Sequence, residues 1–374
     1  MADSRFNDSP LADLDTSFAS YASRCKEERQ RHLVNGTPDY AFDVDVSLRR
    51  TIDAIPHFHS IAQNICNTYA SREIQQLNMQ GIAVTPRQRP EIYEIGRDCA
   101  QRLGIAVPSI FIVNNVSMNA YTIASDDLEP VVCLTSGIVE RLTLGELRTV
   151  IGHECGHIHN KHTVYTMMAS LMLTGGAAGL SAISGMLATL LTGGAQLALR
   201  KWQRAAEITC DRAGVICSQR PEDALTAEAK LMYGGTLGDA QQIDLDEMLK
   251  QLEQQLRTVA RFEELTADHP YGLRRIAAEK AFMESEVLYR WRPDLKKPGQ
   301  VTMNRQALES RCRALTSLAA DDKETALEGL IGLAAIQKSY KPPQTLLSSS
   351  ARVYERMCCG MFHACDNNKH SRSS

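Results

Sequence analysis

The chain carries no excess of charge of either sign: 41 lysines and arginines stand against 44 aspartates and glutamates, a net charge of −3 over 374 residues. That balance argues against a nucleic-acid partner and against an acidic, disordered chain. No secretory signal is expected, because residues 1–17 are polar and acidic, without a basic start or an apolar stretch. The eleven cysteines follow no regular spacing, so reduced thiols and a cytoplasmic setting are expected rather than a disulfide framework. No internal repeat is evident. One further absence is local: residues 164–199 contain no charged side chain. A membrane-crossing helix needs ~20 apolar residues, so two crossings with a turn exceed the 36 residues of this stretch. The stretch is also broken at Gly175-Gly176 and Gly193-Gly194. A buried or half-buried helical hairpin is therefore the preferred reading, with contact to a membrane through 164–199 kept as the alternative.

The length suits one large or two modest domains. Residues 1–40 read as a polar lead-in with a short charged helix near Lys26–His32. Residues 41–90 form an N-terminal helical segment, with Leu48, Ile52, Ile55, Ile61, Ile65 and Tyr69 at helical spacing and a break at Pro56. Glu91 to Leu103 reads as an amphipathic helix closed by Gly104. The period then changes. Ser109-Ile110-Phe111-Ile112-Val113, Asn119-Ala120-Tyr121-Thr122-Ile123 and Val131-Val132-Cys133-Leu134 read as short strands, and they lead straight into helices. Further helices are expected over 200–217, from Pro221 to Gly234, over 243–265 and over 271–292, then a linker over 293–299. A helical pair is expected within 300–341, and the tail 342–374 ends in a polar, disordered stretch. The fold class that follows is α+β and mostly helical, with a small antiparallel sheet and extra helices.

The central motif is His153-Glu154-Cys155-Gly156-His157, an H-E-x-x-H sequence. On a helix, positions i and i+4 share a face, so the two imidazoles can aim at one point while Glu154 stands one step round. Two neutral imidazoles and a nearby carboxylate that can deprotonate a water make the core of a hydrolytic zinc site. Thr143 and Glu146 supply a capping-box pair at the start of the helix, Leu147, Val150, Ile151 and Ile158 an apolar stripe, and Gly152 and Gly156 room for close packing. A catalytic zinc takes three protein ligands, so a third is needed. The H-E-x-x-H-x-x-G-x-x-H arrangement is excluded, because Asn160 and Thr163 occupy the required positions. His159 and His162 lie off the face of His153 and His157 and read as an exposed polar helix end. Glu207 and Asp211 are i and i+4 on a later helix: one can bind the ion and the other can accept the free N–H of a ligating histidine. Acids on a solvated face, tied to Arg204 or Arg212, are the alternative for that pair. His57-x-His59 reads as structural, and Cys358, Cys359 and Cys365 around His363 as free thiols.

These motifs, taken in order, resemble the HtpX-like and CAAX-prenyl-protease group of zinc metallopeptidases, which are gluzincins. The resemblance is carried by Asn119-Ala120-Tyr121, by Val131 to Gly137, by Gly152 to His157, by Glu207-Ile208-Thr209-Cys210-Asp211, and by Asp268-His269-Pro270 with Arg275-Ile276. It covers roughly residues 90–285, within a zinc metallopeptidase domain expected over 91–292. It implies a zinc-dependent metalloendopeptidase with one Zn2+ held by His153, His157 and Glu207, and Glu154 as general base. It further implies Asp211 orienting a ligand, His269 hydrogen-bonding the oxyanion with Arg275 in support, and a polypeptide substrate paired as an extended strand along Asn119, Ala120 and Tyr121. Cys210, Ile208 and Tyr271 depart from the residues usual in the group, which bears on substrate preference. Two alternatives stay open: a non-catalytic, peptide-binding or chaperone-like module on the same zinc fold, and a membrane-associated protease acting on membrane proteins.

Overall fold

A computed structural model describes residues 32–54, 58–125, 127–174, 193–235, 244, 246–248, 250 and 272–316. The chain enters through a two-stranded hairpin, β1 (Leu33–Val34) and β2 (Thr37–Pro38), turned by Asn35 and Gly36 at φ of 53° and 76°. Helices α1 (Asp43–Asp53) and α2 (Phe58–Gln80) flank the residues around Pro56, and a short strand β3 (Ile82–Ala83) follows. Helix α3 (Pro90–Leu103) starts with proline at its first turn, where a missing N–H leaves no gap in the helical bonding. It ends at Gly104, whose φ of 70° suits a residue without a side chain, while Ile105 N–H donates back to the Ala100 carbonyl.

Strands β4 (Ser109–Val113), β5 (Ala120–Ser125) and β6 (Leu128–Thr135) join β3 in a four-stranded sheet of order β3-β4-β6-β5. The α+β, mostly helical class is as expected, and β3–β4 and β5–β6 are antiparallel. The central pair corrects the expectation of a purely antiparallel sheet: β4 and β6 run parallel, Ser109 opposite Val131 and Val113 opposite Thr135. Burial explains this. Residues 131–135 of β6 are all buried, as a strand covered on both faces must be, and that suits a central position with β5 outside it. In β5, alternate side chains part company. Tyr121 and Ile123 pack with Ala70, Ile74 and Leu77 of α2, whereas Ala120 joins the main core.

The short helix α4 (Ser136–Arg141) is capped by the Thr135 hydroxyl, which accepts from Ile138 N–H. Helix α5 (Leu144–His159) carries the H-E-x-x-H sequence and has the expected capping box. Thr143 Oγ1 accepts from Glu146 N–H at 3.2 Å, and Thr143 N–H donates to Glu146 Oε2 at 2.8 Å. The same carboxylate oxygen also accepts from the wholly buried Lys230 at 2.8 Å, which pins a later helix to the start of α5. Helices α6 (Thr163–Thr174) and α7 (Gly193–Cys217) hold the described ends of the stretch expected as a hairpin, and residues 175–192 lie outside the described residues. No helix among the described residues is long and apolar enough to cross a membrane. α5 and α7 approach closely because glycine lines the crossing. A Cβ on Gly156 would come within 2.8 Å of Ala213 Cβ, and one on Gly214 within 2.8 Å of the Thr149 carbonyl oxygen.

Helix α8 (Glu222–Tyr233) ends at Gly234 with a φ of 75°. The segment expected as one helix over 271–292 is two, α9 (Gly272–Met283) and α10 (Glu286–Trp291). Ser285 divides them, its hydroxyl accepting from Leu288 N–H as the cap of α10. Helix α11 (Arg305–Thr316) is the described part of the expected C-terminal pair; its partner, the tail cysteines and most of 1–40 and 243–265 lie outside the described residues.

His162 is not at an exposed helix end; it is fully buried. Its Nε2 lies 3.0 Å from Asp45 Oδ2, and Asp45 also accepts from Trp202 Nε1 at 3.0 Å and Thr209 Oγ1 at 2.7 Å. His159 is half-buried against the Tyr40 hydroxyl at 3.1 Å. Sequence periodicity missed both because the partners, Tyr40 and Asp45, come from the chain entrance. Asp45 thus joins α1 to α7 and to the loop after α5. Asp45→Ala leaves three buried donors without their acceptor, and urea unfolding at neutral pH is expected to show a loss of about 3–5 kcal/mol. Burial pushes the Asp45 carboxyl up, but His162 and Thr209 more than offset it and hold the group below its ordinary 3.8. Its contribution is therefore whole above that value and lost as pH falls through the lower, folded value, so the gap between the two proteins should narrow in acid. A gap that widens in acid would contradict this.

Candidate metal centre

Two helices build the centre from the same rule of helical spacing. α5 presents His153 and His157, and α7 presents Glu207 and Asp211, each pair one turn apart on a shared face. The glycines at the crossing bring those faces together. The two Nε2 atoms of His153 and His157 lie 3.2 Å apart. Glu207 Oε2 is 3.4 Å from His153 Nε2, and Glu207 Oε1 is 3.6 Å from His157 Nε2. A tetrahedral zinc with nitrogen and oxygen ligands at ~2.0–2.2 Å spaces neighbouring donors by ~3.3–3.6 Å, so the three side chains fit such an ion.

The opposite nitrogen of His153 explains its orientation. Nδ1 lies 2.9 Å from Asp211 Oδ1, which keeps an N–H on Nδ1 and aims Nε2, the nitrogen that would bind an ion, toward the other ligand atoms. Asp211 is held in turn by Arg275 of α9, whose Nε and second guanidinium nitrogen donate to Oδ2 and Oδ1 at 2.9 and 2.6 Å. Arg275 also reaches Glu228 of α8 at 3.2 Å. The alternative of a solvated acid pair does not hold. Asp211 is buried, and Arg212 turns away to a buried pair with Glu309 at 2.9 Å.

Burial and charge act differently on the two rings. Burial pulls the His157 imidazole down to about 3, so it is neutral and able to ligate at physiological pH. Burial acts the same way on His153, but Asp211 and Glu207 overcome it and carry that ring well above its ordinary 6.5, so an ion binding there must displace a proton from it. Glu207, against the pull of its own burial, is held well below 4.5 by His153 and His157. A second grouping deserves comparison: Cys210 Sγ also lies within 4.8 Å of the two histidine nitrogens. Its thiol is driven well above 9.0 by burial and by the neighbouring carboxylates, and its sulfur rests 3.4 Å from His162 Nδ1. A metal ligand must be the thiolate, so Glu207, already ionised, is the better third donor.

Glu154 is 6% exposed, and its Oε2 accepts from the Thr122 hydroxyl of β5 at 2.6 Å. Thr122 had no signal in the sequence beyond its place two residues after Ala120 on the same strand face. Asn119 and Ala120 line a cavity of about 440 Å³ together with His153, Glu154, Glu207 and Asp211. Tyr121 does not line it; its side chain turns to the other face of the sheet and donates to Glu73 at 3.2 Å. Arg275 lines the cavity, as do Glu228 and Glu279, two carboxylates that sequence reasoning overlooked. Glu279 stands one turn after Arg275, a spacing that offered a clue; Glu228 offered none. His269 lies outside the described residues.

Metal analysis of purified protein is expected to find about one zinc per chain, and Glu207→Ala to lose most of it. Asp211→Asn should retain zinc with affinity weaker by about 10- to 100-fold, because the ring it orients is no longer fixed. Equal zinc retention by the wild type and Glu207→Ala would remove Glu207 from the ligand set.

The profile of Peptidase family M48 matches residues 86–282. The chain is 28% identical over 214 residues to the plastoglobule-localized metallopeptidase 48, chloroplastic, of Arabidopsis thaliana, covering 57% of this chain and 60% of that protein. It is 30% identical over 172 residues to a Protease HtpX homolog of Bifidobacterium longum, covering 40% of this chain and 56% of that protein. A Protease HtpX homolog of Thermococcus kodakarensis is 38% identical over 85 residues, covering 23% and 29%. These matches span less than two thirds of the relatives' own length. No solved structure matches the chain. The family profile takes in both histidines of α5, the two acids of α7 and Arg275, and the chain belongs to Peptidase family M48.

Proposed function

We propose that the protein is a zinc-dependent metalloendopeptidase that hydrolyses peptide bonds in a polypeptide bound as an extended strand. The observation that carries this reading is the convergence of His153 Nε2, His157 Nε2 and the Glu207 carboxylate within 3.6 Å of one another, with Glu154 lining the same cavity as His153 and Glu207. Zinc held there would supply Lewis acidity, lowering the pKa of a water and polarising the scissile carbonyl.

The chain's own groups supply the rest. Glu154 takes the proton from the attacking water and returns it to the leaving amine, and the Thr122 hydroxyl at 2.6 Å fixes the direction of its carboxylate. Asp211 keeps the N–H of His153 on Nδ1, and Arg275 keeps Asp211 ionised in a buried setting: burial raises that carboxyl, and the guanidinium more than offsets it. His269 is assigned to the oxyanion, where one well-placed donor is often worth about 3 kcal/mol. β5 pairs with β6 alone among the described residues, which leaves its outer edge to accept the substrate backbone by strand addition. Asn119 and Ala120 set the substrate's register along that edge. Glu154 is buried and His153 and Glu207 are half-buried, which limits water at the reacting centre and strengthens the charges that act on it.

Glu154→Gln is nearly isosteric and lies outside the proposed ligand set. Zinc content should be unchanged, while hydrolysis of a denatured protein such as casein should fall by about 10²- to 10⁴-fold. Undiminished cleavage by that variant would sink the assignment of the base, and cleavage that survives removal of the metal would sink the metallopeptidase reading.

A further inference from the structure

The cavity beside the metal centre holds more carboxyl groups than the proposed chemistry uses. Its walls include Glu154, Glu207, Asp211, Glu228 and Glu279, against the single guanidinium of Arg275. That guanidinium is already engaged by Asp211 at 2.6 and 2.9 Å and by Glu228 at 3.2 Å. Glu279 is left over. It is 5% exposed, and its buried Oε2 meets no donor among the described residues. Neither Glu228 nor Glu279 is among the three proposed ligands, His153, His157 and Glu207. The wall also carries apolar side chains, Val150 from α5 and Ala224, Ala227 and Leu231 from α8. An enclosed carboxylate without a donor is costly unless something brings one.

We propose that this cavity is a subsite for a lysine or arginine side chain of the substrate, next to the scissile bond, with Glu279 and Glu228 receiving its cationic head. This rests on the peptidase reading above. The chemistry of the wall selects such a side chain. An aliphatic stem packs against Val150, Ala224, Ala227 and Leu231 while the head supplies several N–H donors. An acidic side chain would meet five carboxyl groups, and a short polar one would leave the apolar part of the wall uncovered. Burial already pushes Glu228 up to about 7 and Glu279 well above 4.5, and a cation in the subsite would let both ionise. Helix α9 ties the subsite to the metal centre, because Arg275 and Glu279 are one turn apart on it.

The test uses the zinc-loaded full-length chain and quenched-fluorescence peptides that differ at one residue flanking the cleaved bond. That residue is arginine, its neutral isostere citrulline, lysine or norleucine. At one flanking position kcat/KM for arginine should exceed that for citrulline by at least about tenfold, and lysine should exceed norleucine similarly. In E279Q, and more fully in E228Q/E279Q, the arginine-to-citrulline ratio should fall to within about twofold. The same peptides are titrated against E154Q by fluorescence anisotropy, which reads preference without turnover. Equal rates for arginine and citrulline in the wild type, or a ratio unchanged in the double variant, would overturn the subsite. The wild-type comparison stands even if a variant fails to fold. Binding that favours arginine without any cleavage would overturn the peptidase reading and leave the subsite in place, whereas cleavage without preference would do the reverse.

Discussion

The rest of the centre depends on one buried carboxylate, that of Asp211. It accepts from His153 on one side and from Arg275 on the other, at 2.9, 2.6 and 2.9 Å, so a single anion sets the relation of α5, α7 and α9. Each partner needs it. The His153 ring would otherwise be free to turn its Nε2 away from Glu207, and Arg275 would be a buried cation left with Glu228 at 3.2 Å and Glu207 at 3.9 Å. Such a group is expensive to desolvate, and its position is tolerable because every lone pair direction used meets a charged or polarised donor. The glycines where α5 crosses α7 make the geometry reachable, since a side chain at Gly156 or Gly214 would force the two helices apart.

Other buried carboxylates work in the same way, each joining elements far apart in the chain. Glu146 completes the cap of α5 and at the same time receives Lys230 of α8. Asp45 gathers His162, Trp202 and Thr209. Glu309 of α11 receives Arg212 of α7 and the N–H of Asp43. Helix α7 is therefore two-sided. Glu207 and Asp211 face α5, while Thr209 and Arg212 face α1 and α11, which lie outside the 86–282 segment that matches the family. The additional helices brace the back of the helix that carries the acidic donors, and Arg212 lies over the rings of Phe42 and Phe282 there, 5.3 and 5.6 Å from their centres.

Strand β5 links this scaffold to the cleft. Its two faces have different duties because successive side chains point opposite ways. Ala120 and Thr122 turn toward the cavity and Glu154, whereas Tyr121 and Ile123 anchor the strand on α2. The resemblance treated Asn119, Ala120 and Tyr121 as a unit along a substrate. In the folded chain the first two line the cavity, and the third holds the strand in place through Glu73.

By itself the sequence determined what local geometry can decide. Helical spacing put His153 with His157 and Glu207 with Asp211; the Thr143–Glu146 pair marked the start of α5; Pro90 and Gly104 bounded α3; alternation and apolar runs marked the three longer strands. Each of these depends on residues within a turn or two of one another, so the pattern is written in consecutive positions. The tertiary structure decided which faces meet. It made β4 and β6 parallel neighbours, buried His162 against Asp45, and brought Glu228 and Glu279 to the cavity wall. Those outcomes turn on partners tens to more than a hundred positions away. Burial and charge pairing between such partners are settled only when the helices pack, and no spacing rule along the chain encodes them.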